Sequence, residues 1–385
     1  MEFEFTTPSR VVFGAGSLNG IGAIANEFGQ RALVVTGRDA SRAERLVQLL
    51  QDAGVSATTF AVNGEPELST VEKGVEEGRT AGAQFVIGFG GGSALDAAKA
   101  IAAMMSNDGE LLDYVEVIGR GKPLPREGQP FIAIPTTAGT GSEVTRNAVL
   151  SSPAHKVKVS LRSPHMLARV ALVDPELTYN MPPAITASTG LDALTQLIEP
   201  FVSTRANPMT DALSRDGICR AARSVRTVCA DGYNAAARAD MALASLYSGF
   251  ALANAGLGAV HGFAGPLGGM FPNAPHGAVC AILLPHVVAA NLRALRERLP
   301  DSEALRRYEE VARMLTGNAL ASADDGVEWI RALVDELKIT RLSNYGLTAA
   351  AVTEVVEKAR NASSMKANPV VLTPDELAEV LHAAR

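Results

Sequence analysis

The chain has 385 residues and a formal net charge of -6 at pH 7; 47 % of its residues are apolar and 20 % are charged. This balance excludes an intrinsically disordered chain, and the acidic net charge gives no electrostatic reason to expect nucleic-acid binding. The length favours two domains, each large enough to bury a core of its own.

Cysteine usage and the N-terminal residues indicate the cellular compartment. Cys219, Cys229 and Cys280 include no CxxC pair, which argues against a disulfide framework or a thiolate zinc site. The opening residues, MEFEFTTPSRVVFGAG, match neither a signal peptide nor a transit peptide, and no apolar run approaches the length needed to span a bilayer. We therefore predict a cytoplasmic protein with no membrane partner.

The first 180 residues alternate between short β-rich runs and helical patterns. Apolar runs that end in turn residues predict strands at 31–37, 57–63, 83–90 and 130–137. Amphipathic segments at 40–54 and 69–82 predict helices between them. This alternation indicates a parallel sheet with helices on both faces. Upstream, GAGSLNG (14–20) misses the dinucleotide-binding fingerprint by one residue, so we interpret it as the end of a hairpin that enters a helix.

Two loops in this half suit a phosphate-bearing ligand. Gly91, Gly92 and Ser93 follow a predicted strand and open a predicted helix, where unpaired backbone amides attract phosphate oxygens. The second loop, IPTTAGTGSEVT, offers hydroxyl groups for a ribose or pyrophosphate, among them those of Thr136, Thr137 and Thr145. Each loop alone also fits an ordinary turn. Two of them at successive strand ends favour a ligand, because ligands of open α/β sheets bind at the carboxyl ends of strands.

From about residue 181 onward, strand patterns give way to Ala- and Leu-rich helical patterns. We therefore predict an α/β domain over residues 1–180 and an all-helical domain over residues 181–385. Ligands commonly bind where two such domains meet, so the sequence predicts a site in the cleft between them.

The helical half contains a candidate metal site. Asp192 and Gln196 are four residues apart in a predicted helix, which places both side chains on one helical face. His261 follows one helical pattern and His276 precedes another, across a Gly/Pro-rich turn. These four side chains would supply a set of metal ligands, or they would form a polar stripe and two structural histidines. The remaining histidines are interpreted as structural: His155, His165, His286 and His382.

The motifs of this chain resemble those of the iron-containing (group III, metal-dependent) alcohol dehydrogenase family, within the dehydroquinate synthase-like superfamily. They cover nearly the whole sequence: RVVFGAG, GGGSALDAAKAIA, PTTAGTGSEVT, VALVDPEL, TGLDALTQLIEPFVS, LANAGLGAVHG, PHGAVCAILLPHV and NPVVLTPDEL. The resemblance implies an α/β Rossmann-like N-terminal domain with a parallel sheet, an all-α C-terminal domain, and catalysis between them.

The resemblance also implies roles for individual residues. Those expected to hold the cofactor pyrophosphate are Gly91, Gly92 and Ser93. Those expected to line the cofactor cleft are Thr136, Thr137, Thr145 and Lys158. Asp192, His261 and His276 match three metal-ligand positions of the family, and they are the expected catalytic centre for Fe²⁺ or Zn²⁺.

Three departures from the family pattern concern the metal and the proton path. Gln196 stands where the family has a histidine ligand, and Gly265 replaces a histidine often credited with proton relay. The stretch from His261 to His276 is also one residue longer than usual. A carboxamide oxygen is a weaker donor than imidazole. Our hypothesis is a retained metal site in which Gln196 is a fourth ligand or holds a metal-bound water; the alternative is a metal-free site.

The residues after the first predicted strand of the α/β half concern cofactor choice. NAD-preferring relatives often place an aspartate directly after the threonine of that strand, whereas here Gly37 follows Thr36. Asp39 is the nearest carboxylate and would take over the ribose contact, while Arg38 and Arg42 would suit the 2′-phosphate of NADP. We predict NAD, with NADP as the alternative.

Four functions stay open from the sequence. The leading one is an NAD(P)-dependent oxidoreductase that interconverts a small alcohol and its aldehyde or ketone. The others are a maleylacetate reductase-like enzyme with a weak or no metal requirement, a cyclising lyase of the dehydroquinate-synthase type, and a non-catalytic NAD-binding relative. Phe263 and Phe271 border the substrate pocket or simply pack, and no arginine is identified as a carboxylate clamp, so the substrate is not specified. The resemblance implies a homodimer.

Overall fold

The computed structural model describes residues 2–155 and 157–385, which form two compact units. An α/β unit comprises residues 7–137 and 141–179, and a helical unit comprises residues 2–6, 138–140 and 180–385. The predicted fold class, a parallel sheet with helices followed by an all-helical region, is confirmed. The assignment of the two units to nucleotide binding and metal binding stays a prediction.

Six strands of the α/β unit form one parallel sheet in the order β1-β8-β5-β4-β2-β3, and β6 pairs with β7 as an antiparallel hairpin. The strands are β1 (Arg10–Phe13), β2 (Arg31–Thr36), β3 (Ser56–Ala61), β4 (Phe85–Gly90), β5 (Phe131–Pro135), β6 (Asn147–Ser152), β7 (Val157–Arg162) and β8 (Val170–Val173). The β2 strand pairs with β3 on one side and with β4 on the other. The order in which the chain adds strands to the sheet therefore reverses between β2 and β4. Such a switch point is where open α/β sheets bind their ligands.

Helices cover both faces of this sheet and make up nearly all of the second unit. Those of the α/β unit are α1 (Ile21–Asn26), α2 (Glu44–Asp52), α3 (Leu68–Thr80), α4 (Gly92–Met105) and α5 (Leu111–Tyr114). Those of the helical unit are α6 (Pro183–Val202), α7 (Pro208–Ala230), α8 (Ala235–Ala255), α9 (Ala259–Met270), α10 (His276–Arg298), α11 (Glu303–Thr316), α12 (Ala323–Glu336), α13 (Val352–Arg360) and α14 (Pro374–Ala384).

Alternating side chains of the sheet explain its two cores. Successive residues of a strand point to opposite faces. Leu33 and Val35 of β2 therefore pack in the core that includes α3 and α4, whereas Val34 packs in the core that includes α1 and α2. These apolar residues on both sides of one strand are typical of a parallel sheet that is buried on both faces.

The central helix of the helical unit is α6, which packs against α7, α8 and α10. Every residue from 190 to 202 is buried. Burial on all sides means that the polar side chains it carries, including Asp192, Gln196 and Glu199, must find partners inside the protein. The α6 helix therefore carries polar chemistry into an apolar core.

The α9 helix occupies a stretch that the sequence predicts as a Gly/Pro-rich turn. Val260, Phe263, Ala264 and Leu267 recur at helical spacing and are buried in the core of the helical unit. Their burial outweighs the poor helix propensity of the glycines and of Pro266, which lies inside the helix. Phe263 is thus a packing residue of the core.

The hairpin predicted at residues 14–20 is wrong, because β1 pairs in parallel with β8. After Phe13 the chain turns through Gly14 and Gly16, which have φ angles of 148° and 74°. The Asp174 carboxylate, directly after β8, accepts hydrogen bonds from the backbone N–H groups of Gly16 and Leu18 and fixes this turn. The predicted entry into a helix holds, since α1 follows.

Among the described residues, one helix, α10, is long and apolar enough to cross a membrane, which corrects the expectation that no apolar run approaches that length. Its apolar window has a mean hydropathy of 1.7, and 83 % of that window is buried in the structure. Together α8 and α9 pass the same test, but they meet at an angle of 98°. Burial of this extent is what a core helix of a folded helical unit shows.

Candidate functional site

Four side chains of the helical unit bring potential metal-ligand atoms to one place: Asp192 of α6, His261 of α9, and His276 and Cys280 of α10. Their ligand atoms all lie within 4.8 Å of one another. Asp192 Oδ1 is 3.5 Å from His261 Nε2 and 3.8 Å from His276 Nε2. The Cys280 sulfur is 3.7 Å from Nε2 of each histidine. The structure therefore brings together three of the four predicted ligands and adds a thiol.

Helix geometry explains how α10 presents two of these groups. His276 is the first residue of α10 and Cys280 follows four residues later, so both side chains point from one face. Gly277, the residue after His276, allows α10 to approach α6, because a Cβ there would lie 2.4 Å from the backbone oxygen of Ser188. Only a glycine permits this contact, which brings His276 close to Asp192.

Glu199 fixes the orientation of His261. Its Oε2 accepts a hydrogen bond from His261 Nδ1 at 2.6 Å, and its Oε1 accepts one from the backbone N–H of Val260 at 2.7 Å. With Nδ1 protonated, the lone pair of a neutral imidazole is on Nε2. That lone pair faces Asp192 and Cys280. A carboxylate that orients a metal-binding histidine in this way is a common outer partner in metal sites.

The electrostatics of the cluster favour positive charge. Burial opposes ionisation of Asp192, but His276 and His261 hold the pKa of its carboxyl below the ordinary value. Electrostatic interaction with Cys280 raises the pKa of His276 to about 9, against the effect of burial. Burial also opposes protonation of His261, yet Cys280, Glu199 and Asp192 raise its pKa well above the ordinary range. The anionic groups thus stabilise a cation at this point.

The residues fit a divalent metal ion. Among the described residues, none donates a hydrogen bond to Asp192 Oδ1, although this oxygen is buried. An unpaired buried carboxylate oxygen is costly, and a bound cation would satisfy it. In a tetrahedral zinc site the ligand atoms lie about 3.3–3.6 Å apart, given the usual zinc–ligand bond lengths. Four of the six separations in this cluster, from 3.5 to 3.8 Å, are close to that range, and all six are within 4.8 Å.

Gln196 and Gly265 are two of the positions at which the sequence is expected to depart from the family pattern. Gln196 is buried on α6, and its Oε1 accepts a hydrogen bond from the Ser248 hydroxyl of α8 at 2.9 Å. Its role as a metal ligand stays a prediction. Gly265 is exposed on α9, and a Cβ there would meet no described atom within 4 Å.

A second candidate site lies in the α/β unit, where three loops meet at the carboxyl ends of β2, β4 and β5. A Cβ on Gly90 would lie 3.4 Å from the backbone nitrogen of Gly37, and one on Gly91 would lie 3.3 Å from Thr137. The backbone N–H of Thr136 donates to the oxygen of Gly90 at 2.9 Å. Gly92 and Ser93 begin α4, so its first free amides open at this same switch point.

A buried lysine connects α4 with the loop IPTTAGTGSEVT (134–145). Lys99 Nζ donates to the hydroxyls of Ser142 and Thr145 at 2.9 Å and to the backbone oxygen of Asn147 at 2.7 Å. Asp96 accepts from Lys99 at 3.3 Å and from the Ser142 hydroxyl at 2.5 Å. Burial lowers the pKa of Lys99, and Asp96 opposes that effect. Thr145, predicted to line the cofactor cleft, is therefore held by this network.

The other predicted cofactor residues are engaged in local contacts. Asp39 caps a short helical turn by accepting hydrogen bonds from the backbone and hydroxyl of Ser41. Lys158 of β7 forms an ion pair with Glu65 at 3.2 Å. Their cofactor roles stay predictions.

The sequence interpretation missed Cys280, Glu199 and Lys99. Each had a signal in its spacing or context. Cys280 follows His276 by four residues, and Glu199 follows Asp192 by seven, so each pair shares a helical face. Lys99 stands alone as a cation in the otherwise apolar second half of α4.

Comparisons with known proteins identify the family to which the chain belongs. Residues 8–175 match a family model described as "Iron-containing alcohol dehydrogenase", and residues 186–385 match one described as "Fe-containing alcohol dehydrogenase family, C-terminal". The chain is 33 % identical over 386 residues to alcohol dehydrogenase 4 of Saccharomyces cerevisiae, covering 99 % of this chain and 98 % of that protein.

Two solved structures are similar along the full chain. A crystal structure of a 1,3-propanediol oxidoreductase has a TM-score of 0.92 and 31 % identity, with 100 % of both chains covered. The sulfoacetaldehyde reductase of Bifidobacterium kashiwanohense, solved in complex with NAD⁺, has a TM-score of 0.88 and 30 % identity, with 100 % of this chain and 99 % of that chain covered.

Proposed function

The chain belongs to the iron-containing alcohol dehydrogenase family, and we propose that it interconverts a small alcohol and its aldehyde or ketone by hydride transfer with NAD(P). The observation that carries this proposal is the convergence of Asp192, His261 and His276 on one point of the helical unit. The family match implies a nicotinamide nucleotide as cofactor, and the cluster offers a binding site for the metal.

The bound metal would polarise the carbonyl oxygen or lower the pKa of the alcohol, while hydride moves to or from C4 of the nicotinamide. The protein's own groups prepare for this step. Asp192 supplies a buried negative charge, Glu199 holds His261 in the tautomer that offers Nε2, and Gly277 lets His276 approach Asp192. Together they hold the ligand atoms in place before a metal or substrate arrives.

In the α/β unit we propose that the loops at the ends of β2, β4 and β5 bind the nucleotide. The first amides of α4, at Gly92 and Ser93, suit the pyrophosphate, and the absence of a side chain at Gly91 allows its close approach. Gly37 and Asp39 follow β2, where the ribose contact is expected. The residues proposed to line the rest of the nucleotide site are Thr136, Thr137, Thr145 and Lys158.

The finer points of cofactor choice are also proposals. We propose NAD rather than NADP, on the basis of the Asp39 carboxylate, and Fe²⁺ or Zn²⁺ as the metal. Gln196 is proposed as a further ligand or as a residue that holds a metal-bound water, although its Oε1 already accepts a hydrogen bond from Ser248. A cytoplasmic location and a homodimer also stay predictions. The three cysteines form no disulfide, which suits a reducing compartment.

Oxidation of NADH and NADPH, screened over small aldehydes, ketones and keto acids, tests the function. The screen uses the enzyme as purified, after treatment with a strong chelator, and after re-addition of Fe²⁺ or Zn²⁺. We expect turnover that is lost on chelation and restored by the metal. Net oxidation of NADH also excludes a cyclising lyase, which uses its nucleotide without net reduction.

A second candidate is a maleylacetate reductase-like enzyme with a weak or no metal requirement, and the observation that favours it is glutamine at the position of the family's histidine ligand. Turnover that is insensitive to the chelator would support this candidate. No turnover across the panel, together with tight NAD binding, would indicate a non-catalytic relative and contradict both.

A further inference from the structure

We propose that the sulfur of Cys280 is a thiolate ligand of the metal, so that the site has one carboxylate, two imidazoles and one thiolate. This inference rests on the proposed function, because it concerns the same metal. The Cys280 side chain is fully buried on α10, and its sulfur lies 3.7 Å from Nε2 of both His261 and His276. With these two histidines and Asp192, Cys280 would complete the set of four ligands.

The hydrogen bonds around the cluster leave electron pairs facing one another. In the neutral form that binds a metal, His261 donates a hydrogen bond from Nδ1–H to Glu199, and its Nε2 lone pair faces Asp192 Oδ1 at 3.5 Å. A thiol proton on Cys280 can bond to only one acceptor at a time. It would therefore leave a second acceptor unpaired, and Asp192 Oδ1 has no donor among the described residues. A cation at the centre satisfies all of these atoms together.

Buried cysteines usually act as small apolar residues, so the surroundings of this one decide its role. The other two cysteines, Cys219 and Cys229, lie on α7 outside the four-residue cluster. Cys280 differs from both because it is fully buried and its sulfur lies beside two ring nitrogens and a carboxylate oxygen. Gln196, at the family's histidine position, uses its Oε1 to accept from Ser248. The thiolate thus supplies the fourth donor from a different helix.

A thiolate changes which ion the site prefers. Two anionic ligands, Asp192 and Cys280, balance the charge of a divalent ion, and soft sulfur favours Zn²⁺ over Mg²⁺ or Mn²⁺. Zinc also ranks above Fe²⁺ in the general order of affinity. The four-ligand set is therefore matched to Zn²⁺ or to its spectroscopic substitute Co²⁺, and the substrate oxygen of the proposed reaction would bind as a fifth ligand.

Cobalt absorption tests this assignment independently of activity. The metal-free full-length enzyme is titrated with Co²⁺, and the same titration is run on Cys280→Ser and on the matched control Cys219→Ser. We expect visible cobalt bands in all three proteins, and a near-ultraviolet sulfur-to-cobalt charge-transfer band in the wild type and in Cys219→Ser. Cys280→Ser should lose the near-ultraviolet band and bind Zn²⁺ at least about 10-fold more weakly in competition with a chromophoric chelator.

Zinc X-ray absorption of the wild-type enzyme gives the same answer without any variant, so a folding defect in Cys280→Ser does not weaken the test. One sulfur at about 2.3 Å from zinc is expected. The inference is overturned if the near-ultraviolet band persists in Cys280→Ser, or if the wild type binds metal with no sulfur in its coordination shell. If neither the wild type nor His261→Ala binds any metal, the proposed metal function itself is overturned.

Discussion

Glu199 accepts a hydrogen bond from His261 Nδ1 at 2.6 Å, and both side chains are buried in the helical unit. The same carboxylate accepts from the backbone N–H of Val260, so both of its oxygens are occupied by donors. A charge-assisted pair in a buried site is strong, and it leaves a single orientation for the imidazole. His261 is thus held ready for the metal by a residue that need not touch it.

Replacing Glu199 with glutamine tests this role. A carboxamide has one acceptor and one donor group, so it cannot accept from both His261 and Val260. We expect Glu199→Gln to bind Zn²⁺ about 10- to 100-fold more weakly, as is typical when the partner of a metal-binding histidine is removed. The affinity is measured by competition with a chromophoric chelator. Glu297→Gln, on the exposed face of α10, is the control; equal affinities for both variants would rule out an orienting role for Glu199.

Gly277 is predicted to be intolerant of a side chain. Gly277→Ala would place its Cβ 2.4 Å from the Ser188 oxygen, so the first turn of α10 must move away from α6. We expect a loss of about 1–3 kcal/mol in the free energy of unfolding, typical of overpacking, together with weaker metal binding because His276 moves with that turn. Urea unfolding with and without Zn²⁺ measures both effects.

Gly265→Ala is the matched control for that experiment, since a Cβ at this helical position meets no described atom within 4 Å. Alanine is favoured over glycine in a helix, but the ring of Pro266 disfavours a Cβ at the preceding residue, so we expect this variant to stay within about 1 kcal/mol of the wild type. Unchanged stability and metal binding in Gly277→Ala would show that α6 and α10 adjust without cost.

Glu143 predicts a pH dependence of stability in the α/β unit. Burial raises the pKa of its carboxyl from 4.5 to about 7, against the opposing effects of a backbone hydrogen bond and Lys99. The folded state therefore holds a proton that the unfolded state releases. This contribution to stability is full below pH 4.5 and is lost as the pH rises through about 7.

We expect the free energy of unfolding of the wild type to fall by about 2–3 kcal/mol, relative to Glu143→Gln, as the pH rises from 4.5 to 8. Denaturant unfolding at several pH values gives both curves. Glu76→Gln, at an exposed position, should follow the wild type. Parallel curves for the wild type and Glu143→Gln would mean that Glu143 ionises freely in the folded protein.

Asp39 tests the preference for NAD. Asparagine keeps the capping hydrogen bond to Ser41 because its side-chain oxygen still accepts, but it removes the charge that repels a 2′-phosphate. We expect the wild type to have a higher kcat/KM with NADH than with NADPH. In Asp39→Asn the ratio of these two kcat/KM values should be closer to one. A ratio that is the same in both proteins would place the discrimination elsewhere, for example at Arg42.

The sequence predicted the architecture because its strongest signals are local. The apolar runs at β2, β4 and β5 and the glycines after them specify strands and turns within a few residues, and the family assignment from motifs is confirmed. The parallel pairing of β1 with β8 was missed because the partners are about 160 residues apart and no local pattern links them. Likewise α9 was missed because tertiary burial, rather than propensity, makes it helical.

The same distinction applies to the candidate site. Asp192, His261 and His276 were identified because their residue types and spacing are informative, and the structure brings them together. Cys280 was missed because a lone cysteine forms no ligand motif of its own, whereas its neighbour in space is a histidine one turn earlier. Glu199 was missed because its partner His261 is 62 residues away, and their contact exists only once the helical unit has folded.

The most direct test of the account is the metal content of freshly purified, active enzyme, measured by elemental analysis beside His261→Ala. We predict a nearly stoichiometric divalent metal in the wild type and almost none in the variant, with activity lost in parallel. Full activity in a wild-type preparation that contains no metal would contradict the central claim that Asp192, His261 and His276 hold the ion on which hydride transfer depends.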